Sequence, residues 1–173
     1  MTSKKAHRPR VKRSWPAIAC CSEQEFAILR ALERDARMSF SELGDSIGIS
    51  KSPTWMKVRA LEARGAISGF RAVIEPAAIG LQIHAFVLVT IQSTMSREFE
   101  SAVLSHVAVL ECHTIAGQAD YFLHVLVPGI ADLDALLRND ISRMPGVEHV
   151  STTVGLKTIK SRGYITDCVC RTN

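Results

Sequence analysis

The chain has 173 residues, of which 47% are hydrophobic and 22% are charged. This length allows one ordinary domain or two small ones, and the composition is typical of a globular protein and excludes a disordered chain. The longest apolar run, near residues 85–91, is too short to cross a bilayer, so we expect no contact with a membrane.

The net charge of +4 is unevenly distributed along the chain. Six of the 21 basic residues precede the first acidic residue, and these are Lys4, Lys5, Arg8, Arg10, Lys12 and Arg13. Beyond them, 15 basic residues stand against 17 acidic ones, a balance of −2. A basic arm of this kind indicates either contact with nucleic acid or a disordered segment that happens to be basic. We predict that residues 1–21 form a disordered basic arm. Whether this arm contacts nucleic acid or is basic without such a role stays open.

The five cysteines indicate a reducing compartment. They are odd in number and form no C-x-x-C pair, and the apolar segment before Cys20 is too short for a secretion signal. We therefore expect reduced thiols in a cytoplasmic protein, with Cys112 as a small core residue.

Three short helices are predicted between residues 22 and 65. Ser22 with Glu25, and Ser39 with Glu42, match the capping box that opens a helix. A tight turn at Gly48-Ile49 then leads to a third helix, with Ser50 as its N-cap.

The third helix has the features of a helix that enters DNA. Pro53 fits its first turn and Gly65 its C-terminal end. At 100° per residue, Thr54, Val58 and Leu61 lie on one side, and a mixed polar side lies opposite. Two short helices joined by a tight turn form a helix-turn-helix, whose second helix can enter the major groove. The alternative is a solvated face in a small helical domain. The predicted DNA-contacting residues are Lys51, Ser52, Pro53, Trp55, Met56, Lys57 and Arg59.

Individual roles follow from side-chain chemistry. Arg59 suits guanine or phosphate, Ser52 suits bases or phosphate, and Met56 suits thymine methyl groups. Lys51 and Lys57 flank these residues as phosphate neutralisers.

The second half of the chain predicts a β-rich stretch at residues 67–74 and then a βαββαβ order. The segments are a strand at 84–92, a helix at 97–105, strands at 109–115 and 121–127, a helix at 131–143 and a strand at 149–160. This is the ferredoxin-like order, in which both helices cover one face of the sheet. The uncovered face requires a partner, so we expect a homodimer formed through the sheet.

The chain resembles the Lrp/AsnC (feast/famine) transcriptional regulators from about residue 22 to 163. The resemblance rests on "EFAILRALERDARMSFSELGDSIGISKSP", "RALEARGAISGFRAVIEPAAIG", "TIAGQADYFLHV" and "MPGVEHVSTTVGLKTIK" in this order. It implies a winged helix-turn-helix, a hinge, and an effector-binding ferredoxin-like domain that pairs subunits. It also implies assembly of dimers into tetramers or octamers on promoter DNA.

An α+β architecture with five segments follows. We assign the arm to residues 1–21, the winged helix-turn-helix to 22–72, a hinge to 73–82, the ferredoxin-like effector and oligomerisation domain to 83–165, and a tail to 166–173.

The resemblance also implies an effector site for an amino acid or related metabolite between dimers. Gly117 and Asp120 form its G-x-x-D loop, with Asp120 facing an α-ammonium group, and Tyr121 lines the pocket. Ser151 and Thr153, alternate residues on the last strand, supply hydroxyl groups. Gly and Asp are also ordinary turn residues, so a purely structural role is the alternative.

The chain departs from the family pattern in three places. Lys57 stands where arginine is usual, Ala60 where a basic residue is usual, and Gly44 where alanine is usual. Gly44 should cost ~1 kcal/mol of helix propensity. The less basic reading helix suggests that the arm compensates through phosphate contacts.

The histidines and the absence of catalytic motifs bear on other functions. A two-residue hairpin loop with Gly117 opposite Asp120 would place His113 opposite His124, but no further ligand completes a metal site. A haem-pathway decarboxylase on this architecture would use Arg71, His84, His113 and His124 to grip a macrocycle. A DNA-bridging architectural protein without an effector response is the third possibility. We expect a regulator that is not an enzyme and needs no cofactor.

Overall fold

A computed structural model describes residues 21–161 and 163–169. The predicted basic arm therefore lies almost entirely outside the described residues. The chain divides into two compact units: one extends to Ala72 and also takes in the residues from Lys160 onward, and the other is Val73–Ile159. Among the described residues, no helix is both long enough and apolar enough to cross a membrane.

The first unit contains the three predicted helices, α1 (Glu23–Arg34), α2 (Phe40–Ile47) and α3 (Lys51–Ala63). Both capping boxes are formed: the hydroxyls of Ser22 and Ser39 each accept from the backbone amide of the glutamate three residues on, and each serine amide donates to the carboxylate of that glutamate. These bonds satisfy N–H groups that a helix start leaves unpaired. The prediction of both helix starts is confirmed.

The turn between α2 and α3 depends on Gly48. Its φ of 75° lies in the left-handed region, which glycine adopts without steric cost. Ser50 occupies the N-cap position of α3, but its side chain makes no capping bond; instead its carbonyl accepts the Thr54 hydroxyl at 2.9 Å. Gly65, with φ of 74°, follows the end of α3 as predicted.

Packing between these helices is tight at Gly44. Ile28, Leu43, Val58 and Leu61 form the buried core of the unit. A Cβ atom on Gly44 would lie 2.5 Å from the Ile49 carbonyl oxygen and 2.8 Å from the Thr54 hydroxyl. Real Cβ contacts are not this short, so glycine is what allows the turn to approach α2. Gly44 therefore has a packing role in addition to the expected cost in helix propensity.

The predicted β-rich stretch at residues 67–74 contains no strand. The structure assigns no helix or strand between Ala63 and the short 3₁₀ helix Pro76–Ile79. The amides of Ala66 and Ile67 donate to the Leu61 carbonyl instead, at 2.9 and 3.1 Å. The β-branched residues here have no partner strand in the described chain, so their propensity alone does not make a strand.

The second unit has the predicted βαββαβ order. Its elements are β1 (Ile83–Ile91), α4 (Ser96–Ser105), β2 (Val109–Thr114), β3 (Tyr121–Val127), α5 (Ile130–Ala135) and β4 (Val147–Gly155). The sheet is antiparallel throughout, in the order β2-β3-β1-β4. After α5 the chain continues through a π turn, Leu136–Asp140, and a 3₁₀ turn, Ile141–Arg143, so the predicted helix at 131–143 is present but irregular.

One face of this sheet holds the core. Val87, Val89, Leu123 and Val125 point towards the helices and pack with Phe99 and other buried side chains. Cys112, expected in the core, is exposed, because β2 is an edge strand whose residues are mostly exposed.

The loop between β2 and β3 is longer than predicted. Thr114 pairs with Tyr121, and the Ile115 amide donates to the Asp120 carbonyl at 2.9 Å, which leaves a four-residue loop, 116–119. Asp120 is held to β1, because its amide donates to the Val89 carbonyl at 3.1 Å. The expected pairing of Gly117 with Asp120 is therefore wrong, and with it the expected pairing of His113 with His124.

The expected tail contains a short helix, α6 (Ile165–Cys168). It packs on α1 and belongs to the first unit. The residues from Lys160 onward group with the first unit, whereas the sequence places the start of the tail at residue 166.

Candidate nucleic-acid interface and effector site

The exposed side of α3 is available for an external partner. Thr54, Val58 and Leu61 are buried as predicted. On the other side, at helical spacings of three and four, lie four exposed residues that we call the reading face: Ser52, Trp55, Met56 and Arg59. Trp55 is 49% and Met56 is 58% exposed, so both side chains are accessible to a partner. The helix thus buries one side and presents a mixed polar and apolar side.

Arg59 is oriented by two neighbours on α3. Its guanidinium lies 3.2 Å from the Glu62 carboxylate and 5.9 Å from the centre of the Trp55 ring. The ion pair is exposed and weak, so it holds the guanidinium without preventing its transfer to a base or phosphate. Glu62 was not identified from the sequence, although its spacing of three residues from Arg59 could have indicated it.

The flanking residues lie around the start of α3. Lys51 is exposed at the first helical position, and Pro53 and Lys57 are partly buried. A lysine at a helix N-terminus has no capping role, which leaves Lys51 free to neutralise phosphate.

Asp120 is exposed, but its carboxylate also makes a hydrogen bond within the fold. Its Oδ2 accepts a hydrogen bond of 2.9 Å from the Ile91 amide, where β1 ends. Gly117, in the same loop, is exposed, and a Cβ atom there would meet nothing within 4 Å. The fold does not require glycine at residue 117, whereas it does use the Asp120 carboxylate.

Tyr121 lies in the core rather than beside the loop surface. It is 4% exposed, its ring centre is 4.7 Å from that of Phe99, and its hydroxyl donates to Glu100 at 2.8 Å. Burial is the main cause that raises the pKa of Tyr121, and the Glu100 carboxylate adds to it. Any influence of Tyr121 on a ligand would act through the position of Asp120.

Ser151 and Thr153 are both exposed on β4, on the face of the sheet opposite the helices. They pair with Leu88 and Phe86 of β1, whereas Tyr121 pairs with Val89. Thr153 is thus three residues further along the sheet than Tyr121, about 10 Å at the rise of a strand. Within one subunit the structure does not bring Thr153 and the Asp120 loop together around one small ligand.

The uncovered face of the sheet is aromatic and imidazole-rich. Phe86 stacks on Phe122 at 5.5 Å and lies 5.1 Å from His124, while Nδ1 of His84 is 3.3 Å from Nε2 of His124. Glu111 lies opposite His124 in the register. We call these residues, with His113, Leu88, Ser151 and Thr153, the open face.

The surroundings of His124 lower the pKa of its imidazole. Burial is the main cause that lowers its pKa, His84 lowers it further, and Glu111, 4.0 Å away, opposes the shift. In the part of the chain that the structure describes, no three His, Cys, Asp or Glu side chains are grouped closely enough to hold a metal ion.

Two protein-family models match this chain, one largely within each of its two units. A winged helix-turn-helix DNA-binding model matches residues 22–68, and an Lrp/AsnC ligand-binding-domain model matches residues 84–165. A proline dehydrogenase transcriptional activator from Rhizobium radiobacter is 37% identical over 142 residues, which are 80% of this chain and 91% of that protein. A leucine-responsive regulatory protein from Klebsiella pneumoniae is 33% identical and covers 77% of this chain and 83% of its own length.

Solved structures agree with the fold. The leucine response regulatory protein of Mycobacterium tuberculosis is 30% identical, with a TM-score of 0.75 over 84% of this chain and 99% of that one. A transcriptional regulator from Neisseria meningitidis, solved as an L-Met complex, has a TM-score of 0.80 over 84% of this chain and 96% of that one, at 23% identity.

A helix-turn-helix with an exposed reading face, followed by a ferredoxin-like ligand-binding domain, defines a DNA-binding transcriptional regulator with a ligand-binding domain. The chain belongs to the Lrp/AsnC family of transcriptional regulators. The relatives named above are regulators, and the decarboxylase alternative finds no support among them.

Proposed function

We propose that α3 enters the major groove of promoter DNA and that its reading face recognises the sequence. The observation that supports this is the exposure of Ser52, Met56 and Arg59 on a helix whose opposite side is core. Arg59 contacts a guanine edge or a phosphate, and Met56 packs on thymine methyl groups. Lys51 and Lys57 contact phosphates, while Pro53 and Trp55 shape the approach of the helix.

Replacement of Arg59 by alanine tests this proposal. With duplexes selected by the wild-type protein from a random pool, Arg59→Ala should lose about 1–3 kcal/mol of specific binding in an anisotropy titration. Arg138→Ala is the matched control, because Arg138 is an exposed, ion-paired helical arginine of the other unit. Equal affinities for the two variants would refute the role of the reading face.

For the effector, we propose an amino acid or a related small metabolite that binds at the Gly117–Asp120 loop between two dimers. Asp120 supports this role because one carboxylate oxygen, Oδ2, is held by the Ile91 amide, which fixes the orientation of the group. The described chain offers no hydrogen bond to Oδ1, which can then accept from an α-ammonium. Gly117 leaves open space for a ligand carboxylate beside the backbone. The L-Met complex of the Neisseria protein fits this ligand class.

A thermal-shift screen of the common amino acids, with Asp120→Asn as the test variant, examines the effector site. Asparagine keeps an acceptor for the Ile91 amide but loses the charge, so the fold should persist while stabilisation by ligand disappears. Glu98→Gln, which removes one exposed carboxylate charge elsewhere in the same unit, serves as the control variant. A ligand that stabilises wild type and Asp120→Asn equally would refute this placement.

Two subunits pair, in this proposal, through their open faces in the cytoplasm, and dimers then assemble further on DNA. An aromatic surface such as Phe86 and Phe122 gains from burial against a second copy. Phe86→Glu should place two carboxylates in that contact and produce monomers in sedimentation velocity. A dimer that persists in this variant at micromolar concentration would contradict pairing through the open face.

A further inference from the structure

At the end of α1, the carboxylate of Glu33 binds the C-terminal segment of the chain. Glu33 accepts three hydrogen bonds: from the Ile165 amide at 2.6 Å, the Thr166 amide at 3.0 Å and the Thr166 hydroxyl at 2.6 Å. Bonds from donors to a charged acceptor are stronger than neutral ones. Burial alone would raise the pKa of Glu33, but the three bonds outweigh it and the pKa is lowered. The carboxylate is therefore held in its charged form by this segment.

Arg34, the next residue of α1, makes a second set of contacts to the same C-terminal segment. Nη2 of Arg34 lies 2.9 Å from the Asp167 carboxylate, and its guanidinium sits 4.7 Å above the Tyr164 ring. Nη1 of Arg34 also donates to the Arg30 carbonyl at 3.1 Å, which fixes the side chain along α1. Two consecutive residues of α1 thus contact a segment more than 130 positions away. We call Glu33, Arg34 and the segment 164–168 together the C-terminal clasp.

The chain passes between the two units twice, and the contacts of the C-terminal clasp follow the second passage. The chain leaves the DNA-binding unit between Ala72 and Val73 and returns to it between Ile159 and Lys160. The strand that precedes the return is β4, which carries Ser151 and Thr153 on the open face. The DNA-binding unit is therefore joined to the sheet domain twice, once by the hinge and once by β4 and the C-terminal clasp.

We propose that the C-terminal clasp is a second tether that restrains the DNA-binding unit and couples it to β4. The inference rests on the proposed pairing of sheet domains and on DNA binding through α3. In a dimer, restraint of each reading helix raises the effective concentration of the second helix once the first is bound. The clasp then favours DNA with two half-sites and leaves the contact with a single half-site unchanged.

The experiment compares two clasp variants with a control. Glu33→Gln removes the charge that holds three donors, and Thr166→Val removes the hydroxyl donor at nearly constant volume. Asp134→Asn is the control, because it removes an exposed helical ion pair of similar length, 2.7 Å to Arg138, outside the clasp. Hydrogen exchange at the Ile165 and Thr166 amides reports whether the clasp opens, independently of DNA.

Affinity for selected duplexes with two half-sites, and for the same duplexes cut to one, measures the coupling. Both clasp variants should exchange faster and bind two half-sites about 3- to 10-fold more weakly, with single-site binding unchanged. Faster exchange with unchanged affinity for both duplexes overturns the coupling, and unchanged exchange overturns the clasp itself. An equal loss on both duplexes also overturns the coupling, because the variant would then act on α3 directly. Failure of the wild type to bind any selected duplex is a different result, which refutes the proposed function and this inference with it.

Discussion

Replacement of Gly44 by alanine should destabilise the DNA-binding unit, although alanine is the better helix former. The added Cβ would lie 2.5 Å from the Ile49 carbonyl oxygen and 2.8 Å from the Thr54 hydroxyl. Neither atom moves easily, because one belongs to the backbone of the turn and the other donates to the Ser50 carbonyl. The turn must therefore shift away from α2.

The magnitude follows from two costs and one gain. Overpacking of a tight contact costs about 1–3 kcal/mol, and weakening the 3.0 Å bond from the Ile49 amide to the Gly44 carbonyl adds up to about 1 kcal/mol. The gain in helix propensity offsets about 1 kcal/mol. The net loss is about 2 kcal/mol, which lowers the melting temperature of a domain of this size by roughly 10 °C.

Thermal unfolding followed by Trp55 fluorescence, with Trp15 replaced by phenylalanine, reads this unit directly. Asp45→Ala is the matched control: residue 45 is exposed in the same helix, so it reports the propensity gain without the contact. If Gly44→Ala raises the melting temperature as Asp45→Ala should, the close approach of the turn to α2 is not a constraint and the reasoning fails.

Three further predictions concern other parts of the chain. Deletion of residues 1–13 should weaken DNA binding and flatten its salt dependence without altering site preference, because six cations are lost; an unchanged slope in anisotropy titrations at several salt concentrations would count against this. Tyr121→Phe should lose about 0.5–1.5 kcal/mol in urea unfolding, through the lost bond to Glu100, and leave effector affinity unchanged. The pKa of Glu33 is lower in the folded protein than its ordinary value of 4.5. The charged carboxylate therefore stabilises the clasp fully above pH 4.5, and this stabilisation is lost as the pH falls through the pKa of the folded state. Exchange protection of the Thr166 amide, corrected for intrinsic rates, should fall in that acidic window and stay constant from about pH 5 to 8.

Local sequence rules predicted the helical unit well because its signals are short-range. Capping boxes at Ser22 and Ser39 need only residues three positions apart, and the buried side of α3 follows from helical spacing. The order of strands and helices in the second unit was likewise readable from hydrophobic pattern.

What the sequence did not reveal depends on contacts between distant residues. The bonds of Asp120 to β1 widen the hairpin loop and shift its register by two, and nothing within the loop itself indicates them. The clasp was missed for the same reason, since residues 164–168 are too few to show a period. The packing role of Gly44 is not visible in the sequence because its close neighbours, Ile49 and Thr54, meet it only after the turn has formed.

The shape of the sheet's margins limits how subunits can add to one another. At β2 the pairing with β3 is interrupted by an irregularity between Val109 and Glu111, and charged or ionisable side chains follow at Glu111 and His113. Irregular, charged margins discourage another strand from extending the ladder, which would otherwise grow without a natural end point. In the proposed dimer, contact through the open face instead buries that face in a closed pair. With that pairing, we expect association of this chain to give assemblies of finite size rather than fibres.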